Sequence, residues 1–387
     1  MAFGFWDDIR KYENEIKELR MSIHRHPEIG NDEWRTAQLV EDYLNGLGIE
    51  TRRMLGTAVI GTLRGGKASE KARTVALRAD MDALPLDEVT GAPFSSENPG
   101  MMHACGHDVH TASVLGAARI LADHRDELEG DVVFLFQPDE EGRGGAERMV
   151  GEGCMEGVDA VFGAHVSPDL PAGHIGIRYG KFYAANDIFT VTVTGLASHG
   201  AVREKGIDAL AAAAQMVTEL LALPPKVTSD KSVLTVGMLT SGTARNIVPE
   251  KAVFDGIIRT LGPETRVAME QEFRKTVQSI AEKTGTTVQI EYIHNQPGVV
   301  NEDTMTALAE KTARETFGES KVHVIEEPTL IGEDFGCFID AAKGSFYHIG
   351  AGCTLPLHSP AFLPEENVVT ELTAMHVSAV LAFLQQD

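Results

Sequence analysis

The chain has 387 residues, 43% of them apolar and 24% charged, enough for about two domains with a sizeable core. Its 34 Lys and Arg stand against 57 Asp and Glu, a formal charge of −23, which argues against a duplex nucleic-acid binder and against a protein that lies on anionic lipid. An anionic substrate would have to meet a local positive feature, such as a metal ion or an arginine.

In chain order, Ile9, Tyr12, Ile16, Leu19 and Ile23 step by three and four and predict a first helix with one apolar stripe. A second helix is expected over Thr36–Leu47, stopped at Gly48. Short β-type runs follow at Ala58–Leu63, Thr74–Ala79, Asp131–Gln137 and Asp159–Ala164, with a helix over Thr111–His124. Runs such as VVFLF and AVFGA are apolar on both faces, so the alternation predicts an α/β domain with a largely parallel sheet. The pattern changes near residue 183. Asp187–Thr194 alternates as a half-exposed strand, and Ile207–Leu221 is an Ala-rich helix ended by Pro224 and Pro225. Strands Ser232–Leu239 and Lys251–Arg259, helix Glu264–Lys283 and strand Thr287–His294 complete a β-α-β-β-α-β order, the split βαβ unit of a ferredoxin-like domain. Helix Glu302–Phe317, strands Val322–Ile325 and Phe346–Ile349 and a last helix near Thr370–Leu384 read as the first domain resuming. The domain expectation is therefore 1–182 with 296–387, interrupted by an insert over 183–295.

Cys105, Cys154, Cys337 and Cys353 are scattered and form no disulfide framework, which suits a reducing compartment. The most apolar stretch, around Ala209–Val217, is Ala-rich and too short to cross a membrane. The start MAFGFWDDIRKYENE has neither the basic start nor the apolar block of a secretory signal. A soluble cytoplasmic protein is expected.

Several segments could carry chemistry. In His103-Ala-Cys-Gly-His-Asp108, Cys105 and His107 lie two residues apart, so an extended loop could aim a thiolate and an imidazole at one zinc-like ion; a buried cysteine beside a structural histidine is the alternative. The run DVVFLFQPDEEG leads a buried strand into Asp139, Glu140 and Glu141. One of two adjacent carboxylates can hold a metal while its neighbour works as a general base, or the pair can be a solvated turn. After another apolar strand come Asp80 and Asp82, which share a face if the chain stays extended; such a carboxylate can orient a ligand histidine, or cap a loop. His165 follows the strand DAVFGA, and His358 sits in a loop, LHSP. In the insert, His199 (ASHG), Asn246 (ARNIVP) and Arg259 are donors rather than metal ligands and could hold an oxyanion or a carboxylate.

Taken together, RADMDALP, MHACGHD, FQPDEEG, GAH, ASHG, ARNIVP, GEDF and LHSP, in this order, resemble the metal-dependent amidohydrolase and carboxypeptidase family. The nearest branch holds hippurate hydrolase, the auxin-conjugate amidohydrolases and N-acetyldiaminopimelate deacetylase. The resemblance runs from HRHPEIG at residues 24–30 to LHSPAF. It implies a zinc-peptidase-like α/β catalytic domain, with a central mixed sheet flanked by helices, and an inserted ferredoxin-like lid that often makes a dimer contact. It implies two divalent ions, manganese or zinc with cobalt or nickel as further candidates, held by Cys105, His107, Glu141, His165 and His358. Glu140 would be the catalytic base, and Asp82, in preference to Asp80, the carboxylate that orients the site. His199 would stabilise the oxyanion, in its own chain or across a dimer, and Asn246 and Arg259 would contact the substrate carboxylate. The implied reaction is hydrolysis of an N-acyl amino acid; the alternatives are a dipeptidase or carboxypeptidase with the same site, and an inactive metal-binding member of the family. The chain departs from the branch at Val109, at SHGAVREKG and at GEDF, and keeps every implied ligand.

Overall fold

A computed structural model describes residues 4–69, 72–142 and 144–385. The chain divides into two units, one of Met1–Gly180, Asn301–Glu326 and Cys337–Asp387, the other of Lys181–Val300 and Glu327–Gly336.

The first unit is built on an eight-stranded sheet in the order Glu50–Met54, Ala58–Leu63, Asp131–Gln137, Thr74–Asp80, Ala160–Ser167, Lys343–Gly350, Ile175–Ile177, Val322–Val324. The four strands from Asp131–Gln137 to Lys343–Gly350 are mutually parallel. Antiparallel pairings flank them: Ala58–Leu63 against Asp131–Gln137 on one side, Ile175–Ile177 against Lys343–Gly350 on the other. The sheet is therefore mixed, where residue alternation alone predicts a largely parallel one. Two of its strands escape the pattern for a physical reason: Glu50–Met54 (ETRRM) is a charged edge strand, and Ile175–Ile177 has only three residues. The central strands are buried on both faces. Every residue from Ala160 to Ser167 is buried, as is all but the first of Thr74–Asp80 and of Asp131–Gln137. Helix Phe5–Arg25 buries Ile9, Tyr12, Ile16 and Ile23 of the predicted stripe, with Leu19 half-buried, and packs with helices His107–Asp123 and Val368–Leu384.

The second unit carries a four-stranded antiparallel sheet in the order Ser232–Ser241, Lys251–Thr260, Ala185–Thr194, Thr287–Gln296. With helices Ala209–Leu221 and Pro263–Thr284 this is the ferredoxin-like β-α-β-β-α-β order. The Ala-rich helix begins two residues later than its composition suggests, because the Asp208 carboxylate accepts the Ala211 N–H (3.0 Å) and caps it. One sheet face is packed with Phe189, Val191, Val193, Phe254, Ile258 and the helix residues Met216, Phe273 and Val277. Alternate residues on the same strands are partly exposed. Among the described residues, no helix is long and apolar enough to cross a membrane.

Candidate metal centre

Parallel strands deliver their carboxyl ends to one edge of a sheet, and the first unit uses that edge. Strand Thr74–Asp80 ends at Asp80 with Asp82 just beyond, strand Asp131–Gln137 runs into Glu140 and Glu141, and His165 lies near the end of strand Ala160–Ser167. The helix predicted from Thr111 starts instead at His107. Gly106, at φ +84°, turns the chain straight into it, so Cys105 and His107 flank a tight turn rather than an extended loop. A side chain at Gly106 would run into Val166 Cγ2, so only glycine suits the turn. His358 reaches the same place because its N–H donates to Ala104 O (2.9 Å).

Three sets of donor atoms converge there, each with its members within 4.8 Å of one another: Cys105, His107 and His165; Cys105, Glu141 and His358; and His107, Glu140 and Glu141. Cys105, His107 and Glu141 each belong to two sets, which links all six residues into one cluster. The Cys105 sulfur lies 3.3 Å from His165 Nε2, and His358 Nε2 lies 3.1 Å from Glu141 Oε1.

Backbone carbonyls fix the histidine tautomers. His107 Nδ1 donates to Asp82 O (2.8 Å) and His165 Nδ1 to Val166 O (2.7 Å), so Nε2 faces the cluster and is the nitrogen that carries the lone pair whenever the ring is neutral. His107 Nε2 is buried and has no hydrogen-bond partner. Asp82 lies beside His107, with Oδ1 at 3.3 Å from its Nδ1, and Asp82 Oδ2 accepts the Glu141 N–H (3.0 Å). Asp80 has other business: it accepts from His110 Nδ1 (2.7 Å) and pairs with Arg78 (2.6 Å). Asp82, not Asp80, is thus the carboxylate touching both a candidate ligand histidine and the acidic loop.

The electrostatics ask for a cation. Burial, and then the Glu141 and Glu140 charges, push the Cys105 thiol well above the ordinary range. Burial pulls His107 down, but Asp80, Asp82 and Glu141 outweigh it and raise the imidazole to about 10. Burial depresses His165, with His110 and His107 adding to it, so His165 stays neutral. Left to itself the cluster takes up protons. A thiol, three imidazoles and a carboxylate, with one buried ring nitrogen unpartnered, fit one or more divalent ions of the zinc type, which supply the missing positive charge.

His110 is a neighbour the motif reading passed over. Its Nδ1 donates to Asp80 and its Nε2 accepts the Val166 N–H (3.0 Å), so it ties two strand ends together beside His165. The signal was its place three residues after His107, one helical turn on the same face.

The remaining predicted residues belong to the second unit. His199 lies in a two-residue strand paired with Ile247–Val248, and Asn246 in the turn before it; the Gly200 N–H donates to Asn246 O (2.8 Å), so the two are neighbours. His199 Nδ1 accepts the Ala201 N–H (3.1 Å), which leaves the ring proton on Nε2. Arg259, near the end of strand Lys251–Thr260, donates through Nη1 to Leu330 O (2.8 Å) in the segment Glu327–Gly336.

The chain is 39% identical over 305 residues to an N-acyl-L-amino acid amidohydrolase of Geobacillus stearothermophilus, covering 77% of this chain and 82% of that protein. It is 32% identical over 383 residues to hippurate hydrolase of Campylobacter jejuni, covering 98% and 99% of the two chains. Among solved structures, the YXEP protein of Bacillus subtilis, described as a dinuclear metal binding peptidase from family M20, superposes with a TM-score of 0.86 at 32% identity, covering 98% of this chain and all of the other. The sequence model of peptidase family M20/M25/M40 matches residues 76–382, and the chain belongs to that family.

Proposed function

We propose that this protein is a dinuclear-metal amidohydrolase that cleaves N-acyl amino acids to a carboxylate and an amino acid. The convergence of Cys105, His107, Glu141, His165 and His358 on one acidic cluster, buried at Cys105, His107 and His165 and open on the His358 side, with Glu140 beside it, carries the reading. The names of the relatives supply the substrate class. These five residues would hold the ions. Bound there, divalent ions lower the pKa of water toward about 7 and polarise a carbonyl. Softness favours zinc, cobalt or nickel over manganese where a thiolate is a ligand; zinc and manganese are the ions to try first.

The chain's own groups divide the remaining work. Glu140 takes a proton from the attacking water on its carboxylate and passes it to the leaving amide nitrogen, so that the C–N bond breaks to a neutral amine. Asp82 holds His107 and the Glu141 backbone in register. His199, with its proton on Nε2, is an exposed hydrogen-bond donor suited to a developing oxyanion, and Asn246 and Arg259 supply donors for the substrate carboxylate. The reading extends to a cytoplasmic enzyme that pairs through its second unit.

Glu140→Gln is expected to bind two ions per chain and to lose at least about 10²-fold in kcat. Elemental analysis with steady-state kinetics on N-acetyl, N-benzoyl and dipeptide substrates checks this. Parent-like turnover in Glu140→Gln would remove the assigned base. Dipeptides outrunning every N-acyl substrate would replace the amidohydrolase by a dipeptidase. Cys105→Ala is expected to lose metal, and full metal content in that variant would strike Cys105 from the ligand set.

A further inference from the structure

Glu33 stands at the N-cap position of helix Trp34–Gly46, yet its side chain makes no capping bond. Glu28 does that work: its carboxylate accepts the N–H groups of Arg35 (2.9 Å) and Thr36 (2.8 Å) and the Thr36 hydroxyl (3.0 Å). Glu33 is fully buried instead, which is costly for a carboxylate unless partners hold it. Its partners lie elsewhere. Glu33 Oε1 accepts the N–H of Asn31 (3.0 Å) and the N–H of Asp139 (2.9 Å), and Oε2 accepts the Thr57 hydroxyl (2.8 Å).

Asp139 is the residue immediately before Glu140 and Glu141, and its backbone is in the left-handed region at φ +57°. A non-glycine residue there costs on the order of 1 kcal/mol and persists only where its surroundings enforce it. The enforcement is visible. Asp139 Oδ2 accepts from Asn31 Nδ2 (2.7 Å) and Arg148 Nη2 (3.0 Å). Asn31 is itself left-handed at φ +68°, and a side chain at Gly30 would collide with the Asp139 carboxylate. The loop backbone is thus pinned by a carboxylate at each side of Glu140: by Glu33 at the Asp139 N–H and by Asp82 at the Glu141 N–H.

We propose that Glu33 is a positioning residue for the Glu140–Glu141 pair, acting by holding the left-handed backbone of Asp139 through its amide. The proposal rests on the role given to Glu140 above. Glutamine is the informative substitute: its Oε1 can accept both N–H groups and its amide can donate to the Thr57 hydroxyl. Glu33→Ala removes all three bonds.

The experiment compares Glu33→Ala and Glu33→Gln, loaded with zinc, by kcat and KM on an N-acyl amino acid, and by amide hydrogen exchange of the peptide spanning 138–142. Glu33→Ala should lower kcat on the order of 10²-fold with KM within about threefold, since small misplacement of a reacting group costs that much. Exchange across 138–142 should quicken, and Glu33→Gln should restore both to within about threefold of the parent. A folded Glu33→Ala with parent kcat overturns the proposal, as does a Glu33→Gln that falls as far as the alanine variant. If Glu33→Ala does not fold, Asn31→Ala takes its place, with an expected fall in kcat of about five- to tenfold at unchanged KM; no fall overturns the proposal. Glu140→Gln in the same series separates the two readings: parent turnover there defeats the general-base assignment, whereas an inactive Glu140→Gln beside an unaffected Glu33→Ala defeats only the positioning role.

Discussion

The two sheets of this protein differ in what they keep dry. In the eight-stranded sheet the central strands are buried on both faces, and the groups at their carboxyl ends, Asp80, Asp82, Glu140 and His165, are buried with them. In the four-stranded sheet one face is packed and the other open, and His199, in its two-residue strand, and Asn246, in a turn, are exposed. The difference sorts the chemistry. In the reading proposed above, most of the groups that would surrender their water to a cation lie at the ends of the doubly buried sheet, where an unpaired charge is expensive. The hydrogen-bond donors proposed for the oxyanion and the substrate carboxylate lie in the open unit. The clamp on Asp139 belongs to the first kind of region: it exists because a buried acidic loop has few backbone conformations to choose from.

The comparison breaks first if the doubly buried sheet is not the more sensitive one. Phe134, fully buried in the strand that leads to Glu140, is expected to cost about 3–5 kcal/mol when replaced by alanine. Urea titration of the metal-free protein measures this as a lower midpoint. A loss below about 1 kcal/mol would mean that this strand is not packed on both faces.

Much of this was open to reading in the sequence, and the boundary is instructive. VVFLF and AVFGA announce doubly buried strands because nothing polar interrupts them, and the insert announces itself by the switch to period-two alternation in DIFTVTVT. The direction of individual strands was not legible, since antiparallel Ala58–Leu63 and parallel Thr74–Asp80 are alike buried on both faces. The candidate donors could be named from their motifs, and the structure brings them within reach of one another. Their tautomers could not, because these are set by the carbonyls of Asp82 and Val166, and a carbonyl has no sequence signature. Glu33 was missed for a similar reason. It sits where an acidic residue usually caps a helix, and only its partners show that it serves a loop more than a hundred residues away.

A second, smaller effect sharpens the account of the buried charges. His24 is fully buried; burial pulls its pKa down, but Asp108 at 3.0 Å and Glu88 at 3.3 Å outweigh it and raise the ring from 6.5 to about 9. Arg20 shares Asp108 with it (3.1 Å). A histidine with a raised folded-state pKa contributes fully below pH 6.5, and the contribution disappears as pH climbs through about 9. The parent should therefore lose stability between those values, by roughly the 1.5–3 kcal/mol of a hydrogen bond to a charged group. His24→Gln should be less stable than the parent at pH 6 and should show a smaller alkaline decline, since the raised His107 remains. Unfolding curves taken from pH 6 to 9.5 decide it; a decline of the same size in His24→Gln would place the titrating group elsewhere.

The smallest effect tests the open face. Ile293 is 57% exposed and lies across from Ile188, itself 37% exposed. Both are on the side of the four-stranded sheet away from Phe189 and Phe254, and on an uncovered face Ile293→Thr keeps the β-branch while giving up little burial. The expected change is within about 0.5 kcal/mol, an order of magnitude less than at Phe134. A loss above about 1 kcal/mol, together with an unfolding midpoint that rises with protein concentration, would show that a second copy of the chain covers this face in solution. A neutral result instead leaves the face to water and directs any pairing through the second unit to another part of its surface, where the edge strand Ser232–Ser241 still has one side without a neighbour in the sheet.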